Sequence, residues 1–416
     1  MTSTAPLHLF EAVGIEIEYM IVDLSSLNIR PIADELFRAV LGEYGSDVES
    51  DTISWSNELV AHVIELKTTL PVKTIEEALE PFEREVARIN SLLDPMKARL
   101  LSSAMHPWMH PRTEMKLWPH ENNEIYANFD RIFGCQGHGW SNLQSMHLNL
   151  PFHGDEEFAR LHTAIRLMLP LIPALAASSP FEEGIQTGFL DNRMKHYGRN
   201  SAILPSIAGQ VIPEPVTSEQ EYREKIFAPM FRDIAPHDPQ EMMREEWLNA
   251  RGAIARFSRG SIEIRVIDSQ DIPHADLAVA ATVVAVVRAL AEETWSTSAS
   301  QLALPQDQLV TLLRQTIETG PAVIIESKEY LQTLGIDSSS MTAGDVWKHL
   351  IHDRMGKTNG IHEEWSEPLE VIMNEGTLAS RLIDATHGLD SRFALRSAYS
   401  LLADSLDANE LFVADE

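Results

Sequence analysis

Hydrophobic and polar residues alternate along several stretches of this chain, and a period of two predicts β-strands. We expect strands at residues 13–23, 58–68, 98–106, 141–152 and 258–271. Apolar positions at helical spacing predict a helix between the second and third strands, and the pattern is almost wholly helical after residue 274. The chain is therefore predicted to be α+β, with an antiparallel or mixed sheet in 1–273 and a helical C-terminal region, 274–416, packed on it.

The first predicted strand, "VGIEIEYMIVD", carries two glutamates on one side. Glu16 and Glu18 share one parity, and isoleucines and Tyr19 occupy the other. Glutamate is depleted in strands, and its charge is costly to bury. An antiparallel sheet, however, often has one face in water, where glutamate is ordinary. From this pair alone, a solvated face is the simpler interpretation.

Polar positions in the other strands change that interpretation. A water-exposed face would be expected to mix in Lys, Thr, Ser and Gln. The positions that alternate with apolar residues in these strands instead hold Glu65, His147, Asn149, Glu263 and Arg265. Carboxylates on one face repel one another unless cations lie between them. Oxygen ligands in number suit Mg²⁺, and the histidine makes Mn²⁺ acceptable as well. Such ions most often hold a phosphate ester during phosphoryl transfer, so the pattern indicates a catalytic metal site.

Glu58 is a separate case, because it lies seven residues before Glu65. On a straight strand that spacing would send the two side chains to opposite faces. Glu58 can join the site only from a preceding loop or across a bulge. On pattern alone, an exposed glutamate at the start of a strand is an equal alternative.

Composition limits the partners and the compartment. The 416 residues carry a formal net charge of −29, which argues against nucleic acid or an anionic membrane surface as partner. A single cysteine, Cys135, rules out an intrachain disulfide and suggests a reducing compartment. No signal peptide is expected, and the apolar stretch 277–290 is too short to span a bilayer and contains Arg288. We expect a cytoplasmic protein, with room for a homodimer on its helical third.

Five segments, in this order, resemble the glutamate–cysteine ligase family 2 proteins, which include bacterial carboxylate–amine ligases: "GIEIEYMIVD", "ELVAHVIELKT", "SMHLNLPF", "SSPFEEGIQTGFLDNR" and "GSIEIRVIDSQD". The resemblance covers roughly residues 10–275. It implies the curved, mainly antiparallel catalytic sheet of the glutamine synthetase and γ-glutamylcysteine synthetase superfamily, with flanking helices and with Mg²⁺ ions over bound ATP.

The resemblance also implies roles for individual residues. The implied metal ligands are Glu16, Glu18, Glu58, Glu65, His147 and Glu263. Arg265 matches a family arginine near the transferred phosphate, and Arg193 matches one that faces the substrate. Lys195 and Arg199 are further candidates for holding anionic oxygens of ATP. A solvated basic turn is the alternative for residues 193–199.

The implied reaction joins a carboxylate to an amine through an acyl phosphate, with glutamate as the donor and cysteine as the family's default amine. "SMHLNLPF" keeps only His147 of the family's usual strand, and "GCQGHGW" departs from the common loop, so the amine remains open. Two other classes also remain open. One is a metal-dependent hydrolase of amides or phosphoesters that uses the same cluster without ATP. The other is an acidic interaction module that has lost catalysis. A Cys135–His138 nucleophile is a weaker alternative, since lone intracellular cysteines are usually inert.

Overall fold

The computed structural model describes residues 6–389 and 391–414, and it has the α+β class expected from the sequence. The strands are β1 (Gly14–Asp23), β2 (Asp47–Val48), β3 (Ile53–Asn57), β4 (Val63–Thr68), β5 (Ala98–Leu101), β6 (Ser145–Pro151), β7 (Phe181–Glu182), β8 (Ile185–Gln186), β9 (Ala253–Arg256), β10 (Ser261–Asp268), β11 (Ile324–Ile325) and β12 (Met341–Thr342). The helices are α1 (Ala33–Leu41), α2 (Glu76–Leu93), α3 (Pro111–Glu114), α4 (Asn123–Phe133), α5 (His138–Ser141), α6 (Gly154–Met168), α7 (Pro173–Ala176), α8 (Asn192–Tyr197), α9 (Glu219–Tyr222), α10 (Ala228–Ile234), α11 (Pro273–Ala291), α12 (Ser298–Leu302), α13 (Gln306–Thr319), α14 (Lys328–Thr333), α15 (Ala343–Arg354), α16 (Ser366–Glu375), α17 (Leu378–Ala385) and α18 (Arg392–Ala408).

The main sheet has eight strands. Seven follow the order β2-β3-β4-β1-β6-β10-β9, and β5 pairs with the second half of β1. Every pairing in this sheet is antiparallel. In the central strand β1, Ile15, Ile17 and Tyr19 are fully buried on one face. Helices α2, α6 and α7 contact strands of the sheet, and α11 packs against α2 and α6. One face is thus sealed by helices, and the polar residues are left to the other.

One strand boundary and two short strands differ from the sequence prediction in ways that matter for function. The strand expected at 58–68 begins only at Val63, because residues 58–62 form the connection from β3. Strands β3 and β9 were not predicted at all. Both are short, at five and four residues, so their alternation is too brief to stand out from the surrounding sequence.

The C-terminal third is helical as predicted, with the two-residue strands β11 and β12 as the exception in the part of the chain that the structure describes. Helix α11 has 19 residues, more than the apolar run alone suggested, and is long and apolar enough to cross a membrane. However, 83% of its most apolar stretch is buried inside the protein, which fits the predicted core helix. The same apolar core contains Ile17, Val279 and Trp347, so the division at residue 273 stays a prediction from the sequence.

Candidate functional site

The polar face of the main sheet lines an open cleft of about 1220 Å³. Its lining includes every residue that the resemblance implied as a metal ligand, together with the implied phosphate-facing arginine: Glu16, Glu18, Glu58, Glu65, His147, Glu263 and Arg265. Lys67, Arg256 and Arg259 line the same cleft. The structure therefore brings the predicted residues from four strands and one loop to a single surface.

Strand pairing explains how these side chains meet. Glu16 lies opposite Lys67 on β4 and opposite His147 on β6, while Glu18 lies opposite Glu65. Directly opposed residues in antiparallel strands share a face of the sheet. The alternation of each separate strand thus becomes one continuous polar surface over the apolar core.

Glu58 reaches this surface from the loop between β3 and β4, which is one of the two routes considered from the sequence. Because β4 begins at Val63, the period of two does not extend back to Glu58. Burial and the neighbouring carboxylates of Glu18 and Glu65 raise the pKa of Glu58 well above its ordinary value.

Five residues, Glu16, Glu18, Glu58, Glu65 and His147, form what we call the acidic end of the cleft. They make two overlapping groups, Glu16–Glu65–His147 and Glu18–Glu58–Glu65, and within each group one ligand atom per residue lies within 4.8 Å of the others. Carboxylate oxygens and one imidazole are donors that Mg²⁺ and Mn²⁺ accept. Burial, together with like charges packed close by, raises the pKa of Glu58. On both counts the donor set fits divalent cations, with Glu65 common to the two groups.

Hydrogen bonds orient the acidic end. The Oε2 atom of Glu16 lies 3.1 Å from His147 Nδ1, and its Oε1 accepts from Asn149 Nδ2 at 3.0 Å. The backbone N–H of Ser145 donates to Glu18 Oε2 at 2.6 Å. Ser145 Oγ also lies 2.9 Å from His147 Nε2. These contacts hold the donors in place from behind, as supporting residues do in metal sites.

The pKa values divide the acidic end into two parts. Burial opposes ionisation of Glu16, but the hydrogen bond with His147 and the charges of Lys67 and Arg265 lower its pKa to about 2. Burial lowers the pKa of His147, but its hydrogen bond with Glu16 and the charges of Glu18 and Glu16 together raise it overall. Burial and the Glu16 charge raise the pKa of Glu65 to about 7. Glu16 and His147 therefore behave as an ion pair, whereas Glu58 forms no ion pair among the described residues and Glu65 pairs only with Lys67.

At the other side of the cleft, Glu263, Arg256, Arg259 and Arg265 form what we call the arginine end. Arg256 Nη1 donates to Glu263 Oε2 at 2.9 Å, and Arg265 Nε lies 3.2 Å from Glu263 Oε1. In the part of the chain that the structure describes, Glu263 belongs to neither group of close ligand atoms. It lies in the cleft as expected, but two arginines occupy its oxygens.

A β-bulge shapes the arginine end. The pairing of β10 with β6 shifts between Ile264 and Ile267, so Arg265 and Val266 together oppose one residue of β6. A bulge re-aims a side chain and is common beside active sites. Arg265 keeps 26% of its side chain exposed to the cleft, a share that lets it contact a ligand.

Arg193 does not line the cleft, although the resemblance matched it to an arginine that faces the substrate. Its side chain is 1% exposed, its Nε donates to Asp268, and its Nη1 donates to the backbone carbonyl of Arg265 at 3.1 Å. The cause is local. Asp191 caps α8 by accepting from the backbone N–H of Met194 at 2.7 Å, and the turn of helix that follows buries Arg193 against β10. Arg193 therefore contacts the bulge at Arg265, and its role toward the substrate stays a prediction.

Lys195 and Arg199 also lie away from the cleft lining defined by the described residues. Lys195 Nζ donates to Glu182 Oε2 at 3.0 Å, and Arg199 is exposed beside a second, smaller cavity lined by His138 and His196. The structure thus places both residues away from the main cleft, and their contacts with a nucleotide stay a prediction. The sequence indicated a basic turn but not the direction in which it faces.

The structure also supplies cleft residues that the sequence reasoning missed. Lys67 lies two residues after Glu65 on β4, so the two side chains share a face of the sheet. Alternation along this strand was therefore enough to predict Lys67 as a cleft residue. Arg256 ends β9, a strand too short to be predicted, so no signal pointed to it. Arg259 follows in the turn between β9 and β10.

Cys135 does not have the environment of a nucleophile. The residue is fully buried, and burial together with the Asp130 carboxylate raises the pKa of its thiol. Its presumed partner, His138, lies 3.1 Å through Nδ1 from the Asn142 amide instead. A thiol of raised pKa is a poor source of thiolate, so this alternative loses its support.

Comparison with known proteins identifies the class and the family. The family model for glutamate-cysteine ligase family 2 (GCS2) matches residues 12–392. This match, over nearly the whole chain, indicates a carboxylate–amine ligase. The chain belongs to glutamate-cysteine ligase family 2.

Individual relatives agree with this family. An uncharacterized protein of Archaeoglobus fulgidus is 35% identical over 308 residues, which cover 74% of this chain and 80% of that protein. A protein of Rubrobacter xylanophilus named "putative glutamate–cysteine ligase 2-1" is 26% identical over 294 residues, 67% of each chain. The crystal structure of glutamate–cysteine ligase from Francisella tularensis in complex with AMP covers 97% of this chain and 90% of its own, with a TM-score of 0.57. Its sequence is 12% identical, so this similarity concerns the fold.

Proposed function

We propose that this protein is an ATP- and Mg²⁺-dependent carboxylate–amine ligase that forms an amide through an acyl phosphate. The observation that carries the proposal is the charge layout of the cleft, where carboxylates suited to divalent cations adjoin a group of arginines. A bound metal–nucleotide complex needs both kinds of surface, because it presents divalent cations and anionic phosphate oxygens together.

The acidic end is the part suited to Mg²⁺, or to Mn²⁺ in its place. Glu16, Glu18, Glu58, Glu65 and His147 would hold the ions, which supply positive charge against the phosphates and the incoming carboxylate. Glu263 joins them in this role only if it leaves its two arginines. Arg265, with its planar fork of donors, is suited to bind oxygens of the transferred phosphoryl group.

The proposed chemistry has two steps. An oxygen of the substrate carboxylate attacks the γ-phosphorus of ATP, the bond from that phosphorus to the bridging oxygen breaks, and ADP leaves. The amine nitrogen then attacks the acyl carbon, phosphate leaves with the electron pair of the acyl–oxygen bond, and the nitrogen loses a proton. Arg265 offers positive charge where negative charge grows on the phosphoryl oxygens, and no covalent enzyme intermediate is required.

Glutamate as the carboxylate donor and cysteine as the amine are the substrates that the family name suggests. AMP in the crystal structure of the Francisella tularensis ligase supports an adenine nucleotide as the third ligand. We further propose a cytoplasmic location and small-molecule substrates only. A homodimer is the assembly to test first, by light scattering of the purified chain.

The deciding experiment is to incubate the purified protein with Mg²⁺, ATP and L-glutamate, with and without a panel of amines that includes L-cysteine. ADP release and new amide products are followed together. Amine-dependent ADP with a matching amide supports the ligase and identifies the amine. Amide or phosphoester cleavage without ATP would favour the hydrolase instead. No turnover, together with no Mg²⁺–ATP binding by calorimetry, would favour the interaction module.

A further inference from the structure

Lys67 lines the cleft beside the acidic end, and no role for it follows from the ligase chemistry above. Its Nζ donates to Ser56 Oγ at 2.8 Å, lies 3.3 Å from Glu65 Oε1, and lies 3.9 Å from Asp47 Oδ1. Across the sheet its register partner is Glu16. About a third of the side chain is exposed, and it lines the cleft. The lysine therefore places a positive charge directly beside the carboxylate that both metal groups share.

The same lysine also takes part in orienting that carboxylate. Glu65 Oε1 accepts from Ser56 Oγ at 2.8 Å and faces the Lys67 ammonium. Ser56 pairs directly with Glu65 across β3 and β4, so its hydroxyl stays beside the carboxylate whatever residue stands at position 67. Orientation of Glu65 thus has a second support, whereas the positive charge beside Glu65 Oε1 comes from Lys67 alone among the ion pairs of the described residues.

We propose that Lys67 is a built-in cation of the acidic end, which competes with divalent ions beside Glu65 and sets how tightly the free metal binds. The proposal rests on the proposed function in one respect, namely that the acidic end binds divalent cations. Like charges repel according to their product, so a lysine opposes a divalent ion twice as strongly as it opposes a monovalent one. Because Ser56 still holds Glu65, loss of the lysine charge removes repulsion and keeps orientation.

The test is a Mn²⁺ titration of the purified full-length chain without nucleotide, with free Mn²⁺ measured by electron paramagnetic resonance. Lys67→Met is expected to bind Mn²⁺ about tenfold more tightly than the wild type, the size that Coulomb's law gives for nearby charges in a water-like medium. Lys67→Arg keeps the charge and should stay within about threefold of the wild type. Ser56→Ala should bind about tenfold more weakly, since it loses the hydrogen bond that orients Glu65.

Lys73→Met is the matched control, because this exposed lysine lies outside the cleft and its loss should leave Mn²⁺ affinity unchanged. Circular dichroism confirms that each variant is folded, and Lys67→Gln replaces Lys67→Met if the latter is not. Equal or weaker Mn²⁺ binding by folded Lys67→Met overturns the role of Lys67 while leaving the metal site intact. Identical Mn²⁺ binding by the wild type and Glu65→Gln would instead overturn the metal site itself, and with it the proposed function.

Discussion

The acidic end and the arginine end of the cleft differ in how the charge of their carboxylates is balanced. Both place carboxylates on the floor of a largely buried sheet, where an unpaired charge is costly. At the arginine end, Glu263 is held by two guanidinium groups of the chain itself. At the acidic end, Glu58 forms no ion pair among the described residues and Glu65 has only Lys67 beside it, and burial with the neighbouring carboxylates raises both pKa values.

The difference indicates what each end lacks. Carboxylates that the chain leaves short of positive charge are suited to an external cation, whereas arginines in excess of their carboxylates are suited to an external anion. The two ends adjoin on neighbouring strands, so one ligand that carries both metal ions and phosphate oxygens could satisfy them together. The predictions below test whether this division of charge carries the activity.

The largest effect is expected from Glu65→Gln, which removes the carboxylate shared by both groups of the acidic end. Metal ions contribute several kcal/mol to phosphoryl-transfer transition states, so the rate of ATP-dependent amide formation should fall about 10³-fold. Steady-state ADP release measures this fall. Glu43→Gln, at an exposed acid outside the cleft, serves as the control and should keep wild-type activity. Activity within tenfold of the wild type would show that Glu65 is not a shared ligand.

Arg193→Met tests the support beneath the arginine end. The change leaves Asp268 buried without its partner and frees the Arg265 carbonyl, and removal of one member of a buried pair costs about 3–5 kcal/mol of unfolding free energy. Urea unfolding of the purified protein measures this loss. Lys195→Met, which breaks a partly exposed pair with Glu182 nearby, should cost about 0–1 kcal/mol. If the two variants lost similar amounts of unfolding free energy, the buried Arg193–Asp268 pair would stabilise the fold no more than a surface pair does.

Arg193 also illustrates how far the sequence could be read. The alternation of "GIEIEY" and "SIEIRVID" was enough to place Glu16, Glu18, Glu263 and Arg265 on one face, because a strand fixes the side of every second residue. For residues 193–199, in and after a short helix, no comparable alternation shows which side chains face the cleft. There the direction of each side chain depends on the Asp191 cap and on the approach of β10, which are both tertiary features.

Glu58 and Arg256 show a second limit. Glu58 joins the site from a loop, because β4 begins at Val63, five residues after the predicted start of this strand. Alternation of apolar residues alone does not locate the residue at which a loop ends and a strand begins. Arg256 lies on a four-residue strand that becomes recognisable only when it pairs with β10. Short elements at the edge of a sheet are specified by their neighbours more than by their own pattern.

Arg265→Met tests the arginine end directly. Loss of one preorganised donor to a developing anion typically costs about 10²-fold in rate, so kcat/KM for ATP should fall by about this factor. The fold should persist, since the side chain is partly exposed to the cleft. Arg265→Lys keeps the charge but not the fork of donors, and it should recover only part of the activity. Full recovery by lysine would mean that charge alone matters at this position.

The smallest effect is expected from Cys135→Ser, which separates the sheet chemistry from a covalent alternative. The thiol is fully buried and its pKa is raised by burial and by Asp130, so it supplies little thiolate at neutral pH. ATP-dependent amide formation should stay within about twofold of the wild type, measured at equal protein folding by circular dichroism. A loss of more than about 10²-fold in a folded variant would point to an acyl-enzyme on sulfur. Activity would then depend on a group outside both ends of the cleft, and the contrast between them would no longer explain the reaction.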